Sequence, residues 1–151
     1  MKKILVINGP NINLLGIREP AIYGSQNYQD LISFIKEAAS QAACLGQKIE
    51  VICFQSNSEG AIVDEIQGAL GKFHGILINP AAYTHTSIAI PDALKAVGIP
   101  AVEVHLSDIS KREAYRQISY TSPACLKTIA GKGFEGYREG LYFLMDVLGS
   151  E

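Results

Sequence analysis

Short runs of apolar, often β-branched residues recur along the chain and constrain its fold more than any other feature. Such runs are typical of strands that are buried on both faces of a sheet. Stretches with helical spacing separate them, and strands that alternate with helices favour a parallel sheet covered on both faces. We therefore predict an α/β three-layer sandwich, flavodoxin-like, with a five-stranded parallel sheet in the order 2-1-3-4-5. The predicted strands are residues 4–7, 49–54, 76–78, 101–104 and 126–130.

Helical patterns fill the gaps between these runs. The clearest begins at Asn27, a good N-cap with Asp30 three residues on, and continues to Leu45. Ser110 and Glu113 have the spacing of a capping box and predict a short helix after Ser110. The other predicted helices are residues 59–70, 86–97 and 134–148.

Composition narrows the class of protein. A chain of 151 residues with 48% hydrophobic content suits one compact unit, so we expect residues 1–151 to form a single domain. The net charge of -2 and the absence of a basic run in the sequence argue against a nucleic-acid partner. Because the first apolar run is short and no long one follows, we expect no membrane contact and a cytoplasmic protein. Cys44, Cys53 and Cys125 are widely spaced, and we expect them to be reduced and buried.

Polar residues gather at the carboxyl ends of the predicted strands, where ligands bind in sheets of this kind. These residues are 8–11, 55–57, 79–87 and 105–107. Residues 8–11 are also common turn formers, and on their own they could be a simple turn. The recurrence of polar residues at four strand ends favours a binding site along one edge of the sheet.

The segment that follows the first predicted strand, residues 8–24, is too long to be only a connection. Gly16 and Gly24 bracket Arg18 and Tyr23, so the segment could swing over a strand end as a lid. Because a nearby cation favours the phenolate, these two residues are candidates for a base and its activating group. The alternative is that Tyr23 packs its ring and that Arg18 is a solvated surface charge.

Glu103 and His105 lie two residues apart on the fourth predicted strand and therefore share one face of the sheet. A carboxylate in that position can fix the tautomer of the imidazole, which makes His105 a candidate general acid. The alternative is an ordinary strand-end histidine. His85, His105 and Glu103 lack a recognised metal-ligand spacing, so we expect no metal site.

The loop and helix of residues 79–94 carry further candidates. Asn79 and His85 follow a buried strand and are typical of a binding loop, although His85 could equally be a surface residue. Thr86 or Ser87 is a candidate N-cap. Asp92 lies inside the following helix and, by itself, is typical of a solvated residue.

An anion site is indicated after the fourth strand. Ser107 precedes a predicted short helix, whose exposed N–H groups can hold a carboxylate or phosphate, although a simple serine cap is the alternative. Arg112 and Arg116 lie one turn apart, and the spacing alone does not decide which of them points at the site.

Five ordered motifs now resemble one known family, type II 3-dehydroquinate dehydratase. They are GPNINLLGIREPAIYG, FQSNSEG, INPAAYTHTS with Asp92, EVHLS and REAYR, and they span most of the chain. The resemblance implies reversible anti elimination of water from 3-dehydroquinate to 3-dehydroshikimate through an enolate, without cofactor or metal. Both the shikimate pathway of aromatic amino-acid biosynthesis and quinate breakdown use this reaction.

The resemblance also implies roles for the catalytic residues. Tyr23 would remove the C2 proton, with Arg18 stabilising its phenolate. His105 would protonate the departing C1 hydroxyl, and Glu103 would orient His105. Asn11 would hold the water or the enolate oxygen.

Further residues match the substrate contacts of the family. The residues that contact the substrate hydroxyls in the family correspond to Asn79, His85 and Arg116. Those that contact the substrate carboxylate correspond to Leu106 and Ser107. Asp92 matches a residue that reaches into a neighbouring subunit's site, which implies a homododecamer, a tetramer of trimers.

The sequence departs from the family pattern in two places. Ile12 stands where Leu is usual, a near-isosteric change. Pro91 is an unexpected residue before Asp92, because a proline could alter the start of the helix that orients Asp92.

Three other chemistries fit the sequence less well. A Schiff-base dehydration needs a desolvated lysine, and every lysine falls at an element end or on a helix face. A flavin-binding electron carrier needs Ser/Thr and Gly donors after the first strand, where this chain has mainly Pro, Asn and Leu. A phosphoacceptor switch needs acidic residues after the first and third strands, where this chain has Asn8 and Asn79.

Overall fold

A five-stranded parallel sheet forms the centre of the computed structural model, which describes residues 1–17 and 25–149. Its strands are β1 (Lys2–Asn8), β2 (Ile49–Gln55), β3 (Gly75–Asn79), β4 (Ala101–His105) and β5 (Lys127–Ala130). They are arranged in the order β2-β1-β3-β4-β5, and every neighbouring pair is parallel. The predicted fold class and strand order are confirmed.

Four α-helices cover the two faces of this sheet in the described residues. They are α1 (Tyr28–Cys44), α2 (Glu59–Gly68), α3 (Ala89–Val97) and α4 (Glu135–Gly149). The predicted start of α1 is confirmed, since Asn27 Oδ1 accepts the Asp30 N–H at 2.8 Å and Asp30 Oδ2 accepts the Asn27 N–H at 2.9 Å. Among residues 1–17 and 25–149, no helix has both the length and the apolar character needed to cross a membrane.

The side chains of β1 alternate between the two faces of the sheet and belong to two separate apolar cores. Ile4 and Val6 point to the layer of α1 and α4, whereas Leu5 and Ile7 point to the layer of α2 and α3. All four side chains are fully buried. The carboxyl ends of the strands therefore form one edge, and polar side chains that leave the strands there fall on one side or the other of the sheet.

The helix predicted over residues 86–97 begins three residues later than predicted, at Ala89. Residues 81–85 form a separate 3₁₀ turn that ends at Thr86, and α3 begins only at Ala89. Ser87 Oγ accepts the N–H of Ile90 at 3.0 Å, so Ser87 satisfies a donor in the first turn of α3. Pro91 fits in that same turn, where the backbone N–H groups need no partner within the helix.

The predicted helix after Ser110 is wrong, because two 3₁₀ turns, Ile109–Lys111 and Ala114–Arg116, occupy this stretch. Asp108 supplies the cap in place of Ser110. Its Oδ1 accepts the N–H of Ser110 at 3.0 Å and the Ser110 hydroxyl at 2.6 Å. The competing local bonds of Asp108 therefore remove the capping box that the spacing of Ser110 and Glu113 indicated.

The three cysteines are free thiols, but they are not all buried. The expectation of burial is wrong for Cys44, which is exposed on the last turn of α1. Cys53 and Cys125 are partly buried. Burial raises the pKa of Cys53 to about 11 and that of Cys125 to about 12, so both remain protonated at neutral pH.

The loops that follow β1 and β3 touch at Gly9. Its N–H donates to the carbonyl oxygen of Asn79 at 2.8 Å. A Cβ atom on Gly9 would lie 2.5 Å from the carbonyl oxygen of Pro80, a backbone atom that cannot rotate away. The absence of a side chain at this position therefore allows the two loops to meet above the sheet.

Candidate active site

A cleft at the carboxyl ends of β1, β3 and β4 gathers most of the predicted site residues. Its volume is about 520 Å³, counting space that opens to solvent. The predicted residues that line it are Asn11, Asn79, His85, His105, Leu106, Ser107 and Arg116. They come from the ends of β3 and β4 and from the loops that follow β1, β3 and β4, so the fold brings together side chains that lie far apart in the sequence.

Two predicted residues that the structure describes are not on this lining. Glu103 is fully buried behind His105. Asp92 is exposed in the first turn of α3 and does not line the cleft. Arg18 and Tyr23, with the proposed lid that carries them, lie outside the described residues.

Glu103 and His105 form a buried pair on β4. His105 retains 5% exposure, and its Nε2 lies 2.5 Å from Glu103 Oε2. Because an ionised carboxylate can only accept a hydrogen bond, Nε2 carries a proton. The second ring nitrogen, Nδ1, is then the one that can meet a ligand in the cleft.

Three hydroxyl groups surround the Glu103 carboxylate. Thr84 Oγ1 donates to Oε2 at 2.5 Å, and Ser119 Oγ lies 2.8 Å from Oε2 and 3.0 Å from Oε1. Thr128 Oγ1 donates to Oε1 at 3.2 Å. These hydroxyls compensate for the water that burial removes. The sequence carries no pattern that links Ser119 or Thr128 to Glu103, and both were missed.

The surroundings keep Glu103 ionised. Burial on its own would raise its pKa, but the hydrogen bond and charge of His105, followed by the bonds from Thr84 and Ser119, lower the pKa below its ordinary value. A charged carboxylate is therefore fixed behind the ring of His105 at neutral pH.

Two arginines also line the cleft. Arg112 and Arg116 both line it, which answers the question that their spacing left open. Arg116 Nε lies 3.0 Å from the Glu113 carboxylate, an ion pair without hydrogen-bond geometry. No Asp or Glu is found among the described lining residues. The cleft is therefore suited to an anionic ligand, and the planar guanidinium groups suit a carboxylate.

His85 has a fixed tautomer. Its Nδ1 lies 2.8 Å from the carbonyl oxygen of Ile118, which can only accept. The proton of the neutral ring is therefore on Nδ1, and Nε2 is an acceptor. An acceptor on the cleft lining can bind a ligand hydroxyl.

A buried network of hydrogen bonds fixes the side chain of Asn79. Its Oδ1 accepts the Ala81 N–H at 3.0 Å, and its Nδ2 donates to the Tyr137 hydroxyl at 2.9 Å. That hydroxyl donates in turn to Asn8 Oδ1 at 2.6 Å. Among the described residues the Asn79 amide makes no second donor bond, so its other N–H can meet a ligand. Tyr137 belongs to α4 and was also missed by sequence reasoning.

Within residues 1–17 and 25–149, no cluster of three or more His, Cys, Asp or Glu side chains could hold a metal ion. The described lining of the cleft contains no lysine.

Comparison with known proteins places this geometry in context. Residues 2–145 match the family described as Dehydroquinase class II. A 3-dehydroquinate dehydratase of Clostridium acetobutylicum is 55% identical over 97% of this chain and 98% of its own length. One of Geotalea daltonii is 58% identical over 92% of this chain and 93% of its own. The crystal structure of type II dehydroquinase from Butyrivibrio crossotus superimposes with a TM-score of 0.90 at 50% identity, covering 95% of this chain and 97% of that one.

The buried carboxylate gives a prediction for stability against pH. Because the pKa of Glu103 is lowered in the folded protein, its contribution is present above the unfolded-state pKa of about 4.3 and is lost as pH falls through the folded value. The free energy of unfolding of wild type should therefore fall more steeply below about pH 5 than that of Glu103→Gln, by up to about 1.4 kcal/mol per pH unit. Urea unfolding at a fixed protein concentration and a series of pH values measures both slopes, and parallel curves would contradict the prediction.

Proposed function

The chain belongs to the class II dehydroquinase family, and from that membership we propose a residue-level mechanism for the loss of water from 3-dehydroquinate in the cleft. Family membership makes the protein a lyase, a 3-dehydroquinate dehydratase of type II. The reaction proposed is a reversible anti elimination through an enolate, carried out by residues 1–151 as a single catalytic domain without cofactor. The observation that carries this proposal is the buried Glu103–His105 pair beside a cleft with two arginines.

The lining of the cleft accounts for substrate binding in this proposal. The carboxylate of 3-dehydroquinate lies against the backbone of Leu106 and the hydroxyl of Ser107, in the field of the nearby arginines. The ring hydroxyls meet Asn79, His85 and Arg116. Support comes from the preset tautomer of His85 and from the free N–H of the Asn79 amide, both of which are prepared before substrate arrives.

The first step is removal of the C2 proton. Tyr23 acts as a phenolate base, and Arg18 stabilises that phenolate together with the developing negative charge. The electrons of the broken C–H bond form an enolate, whose oxygen, directly or through a water, meets Asn11. Asn11 is exposed on the lining of the cleft, where its amide can make such a contact. The roles of Tyr23 and Arg18 rest on the resemblance of their motif.

The second step is departure of the C1 hydroxyl. The enolate collapses, the C1–O bond breaks, and a proton from His105 makes the leaving group water. To act as an acid, the ring carries protons on both nitrogens. The Glu103 carboxylate holds the Nε2 proton, so the Nδ1 proton is the one transferred, and the carboxylate balances the charge of the ring. Tyr23 and His105 then exchange protons with solvent to restore the starting state.

The assembly proposed is a homododecamer, a tetramer of trimers, in which Asp92 reaches a neighbouring subunit's site. Pro91 is buried while Asp92 is exposed, so the helix start leaves the carboxylate free to meet a partner.

The biological role proposed is aromatic amino-acid biosynthesis through the shikimate pathway in the cytoplasm. Breakdown of quinate, which uses the same reaction, is the alternative.

The reaction is tested by near-ultraviolet absorbance after purified, metal-free protein is mixed with 3-dehydroquinate. We expect growth of the conjugated enone signal, and no effect of borohydride added with substrate. Tyr23→Phe should lower kcat by about 10²- to 10⁴-fold, because the phenyl ring cannot accept the proton. Tyr142→Phe is the matched control, since its hydroxyl bonds the Ala38 carbonyl at 3.3 Å away from the cleft. No enone signal from folded wild-type protein, or inactivation by borohydride, would contradict the proposal.

The assembly is tested by mixing two impaired variants, Asp92→Ala and Tyr23→Phe, and allowing their subunits to exchange. If Asp92 serves a neighbouring subunit's site, roughly a quarter of the sites in a random equal mixture combine an intact Tyr23 with an intact Asp92 from the neighbouring subunit. Activity should then rise well above that of either parent.

A mixture of Tyr23→Phe with His105→Asn is the control for this experiment, because both residues serve their own subunit's site and no intact site can form. Equal failure of both mixtures would contradict the role proposed for Asp92.

A further inference from the structure

We propose that Asn57 is a positioning residue that holds Asn11 in its working conformation, an inference that rests on the proposed function. Asn57 lies in the FQSNSEG motif, which belongs to the resemblance but has no role in the mechanism given above. It follows β2 and does not line the cleft. Any effect of Asn57 on catalysis must therefore pass through another residue.

The backbone of Asn11 needs an external partner. Its φ of 69° and ψ of -2° lie in the left-handed region, which Asn tolerates better than most residues but still adopts against its preference. The Asn11 N–H donates to Asn57 Oδ1 at 3.0 Å. This bond fixes the peptide plane that precedes the Asn11 side chain, and with it the direction in which the side-chain amide enters the cleft.

Asn57 is itself held in position. Its Oδ1 also accepts from Gln55 Nε2 at 3.2 Å, and the same nitrogen donates to the Gly9 carbonyl oxygen at 3.1 Å. These contacts orient the amide of Asn57 with its oxygen towards the loop after β1. A strained backbone conformation persists when its surroundings over-determine it, and a pre-oriented acceptor supplies part of that constraint.

The backbone of Asn57 reaches a second catalytic loop. Its carbonyl oxygen accepts the Tyr83 hydroxyl at 2.6 Å, and Tyr83 lies two residues before His85. Asn57 thus bonds to the loop after β1 through its side chain and to the loop after β3 through its main chain. Replacing only the side chain separates the first contact from the second.

The test is the steady-state kinetics of Asn57→Ala with 3-dehydroquinate. Because Asn11 is proposed to act on the enolate oxygen, loss of its orientation should lower kcat by about tenfold and leave KM within about twofold. Asn57 is exposed, so the variant should fold normally. Ser58→Ala is the matched control, since Ser58 Oγ caps only α2 by accepting the Ala61 N–H at 3.2 Å. That control should lower the melting temperature and leave kcat unchanged.

A double-mutant cycle decides whether Asn57 acts through Asn11. In an Asn11→Ala background, Asn57→Ala should lower kcat by less than a further twofold, because the side chain that Asn57 positions is already gone. A repeated tenfold loss, or an unchanged kcat in the single variant, would overturn the inference. Hydrogen exchange gives a readout without substrate: the Asn11 amide should exchange faster in Asn57→Ala, and unchanged exchange would overturn the inference even if wild type lacked dehydratase activity. Wild type without that activity would instead remove the proposed function itself.

Discussion

The fully buried carboxylate of Glu103 is the constraint on which the rest of the site depends. A buried charge is tolerated only when its lone pairs are satisfied. His105 on the same strand and Thr84 after β3 supply two of the partners. The others are Ser119, which lies between β4 and β5 in the chain, and Thr128 on β5. Meeting that requirement pins the loop after β3 against β4. The ring of His105 is thereby fixed at the cleft before any ligand arrives.

A second polar network stabilises the opposite side of the sheet. Asn8 and Asn79 leave their strands towards α4, where the Tyr137 hydroxyl joins them, and burial raises the pKa of Tyr137 so that it remains a donor. The Glu103 network lies on the side of α2 and α3. The cleft is therefore supported from both layers, and the close approach of Gly9 to Pro80 brings its two central loops together. Such support is what holds reacting groups at useful distances.

The sheet and its binding edge could be predicted because both depend on periodic patterns: buried runs, helical spacing and polar strand ends. The pairing of Glu103 with His105 follows from strand geometry alone. Tyr137 could not be found in this way, since it meets Asn79 across 58 residues and only the folded chain shows the contact. Asp108 was missed for a local reason, because its own short-range bonds replace the capping box that Ser110 indicated.

The central claim, that Glu103 fixes the tautomer of His105, is tested most directly by solid-state ¹⁵N NMR of protein labelled at its three histidines. Each signal is assigned by replacing one histidine at a time. In the neutral rings, His105 and His74 should carry the proton on Nε2, since His74 Nδ1 accepts the Lys3 N–H at 2.9 Å, whereas His85 should carry it on Nδ1. A neutral His105 ring with its single proton on Nδ1 would contradict the account, because Nε2 would then accept from a protonated Glu103, which could not balance the charge of the acid.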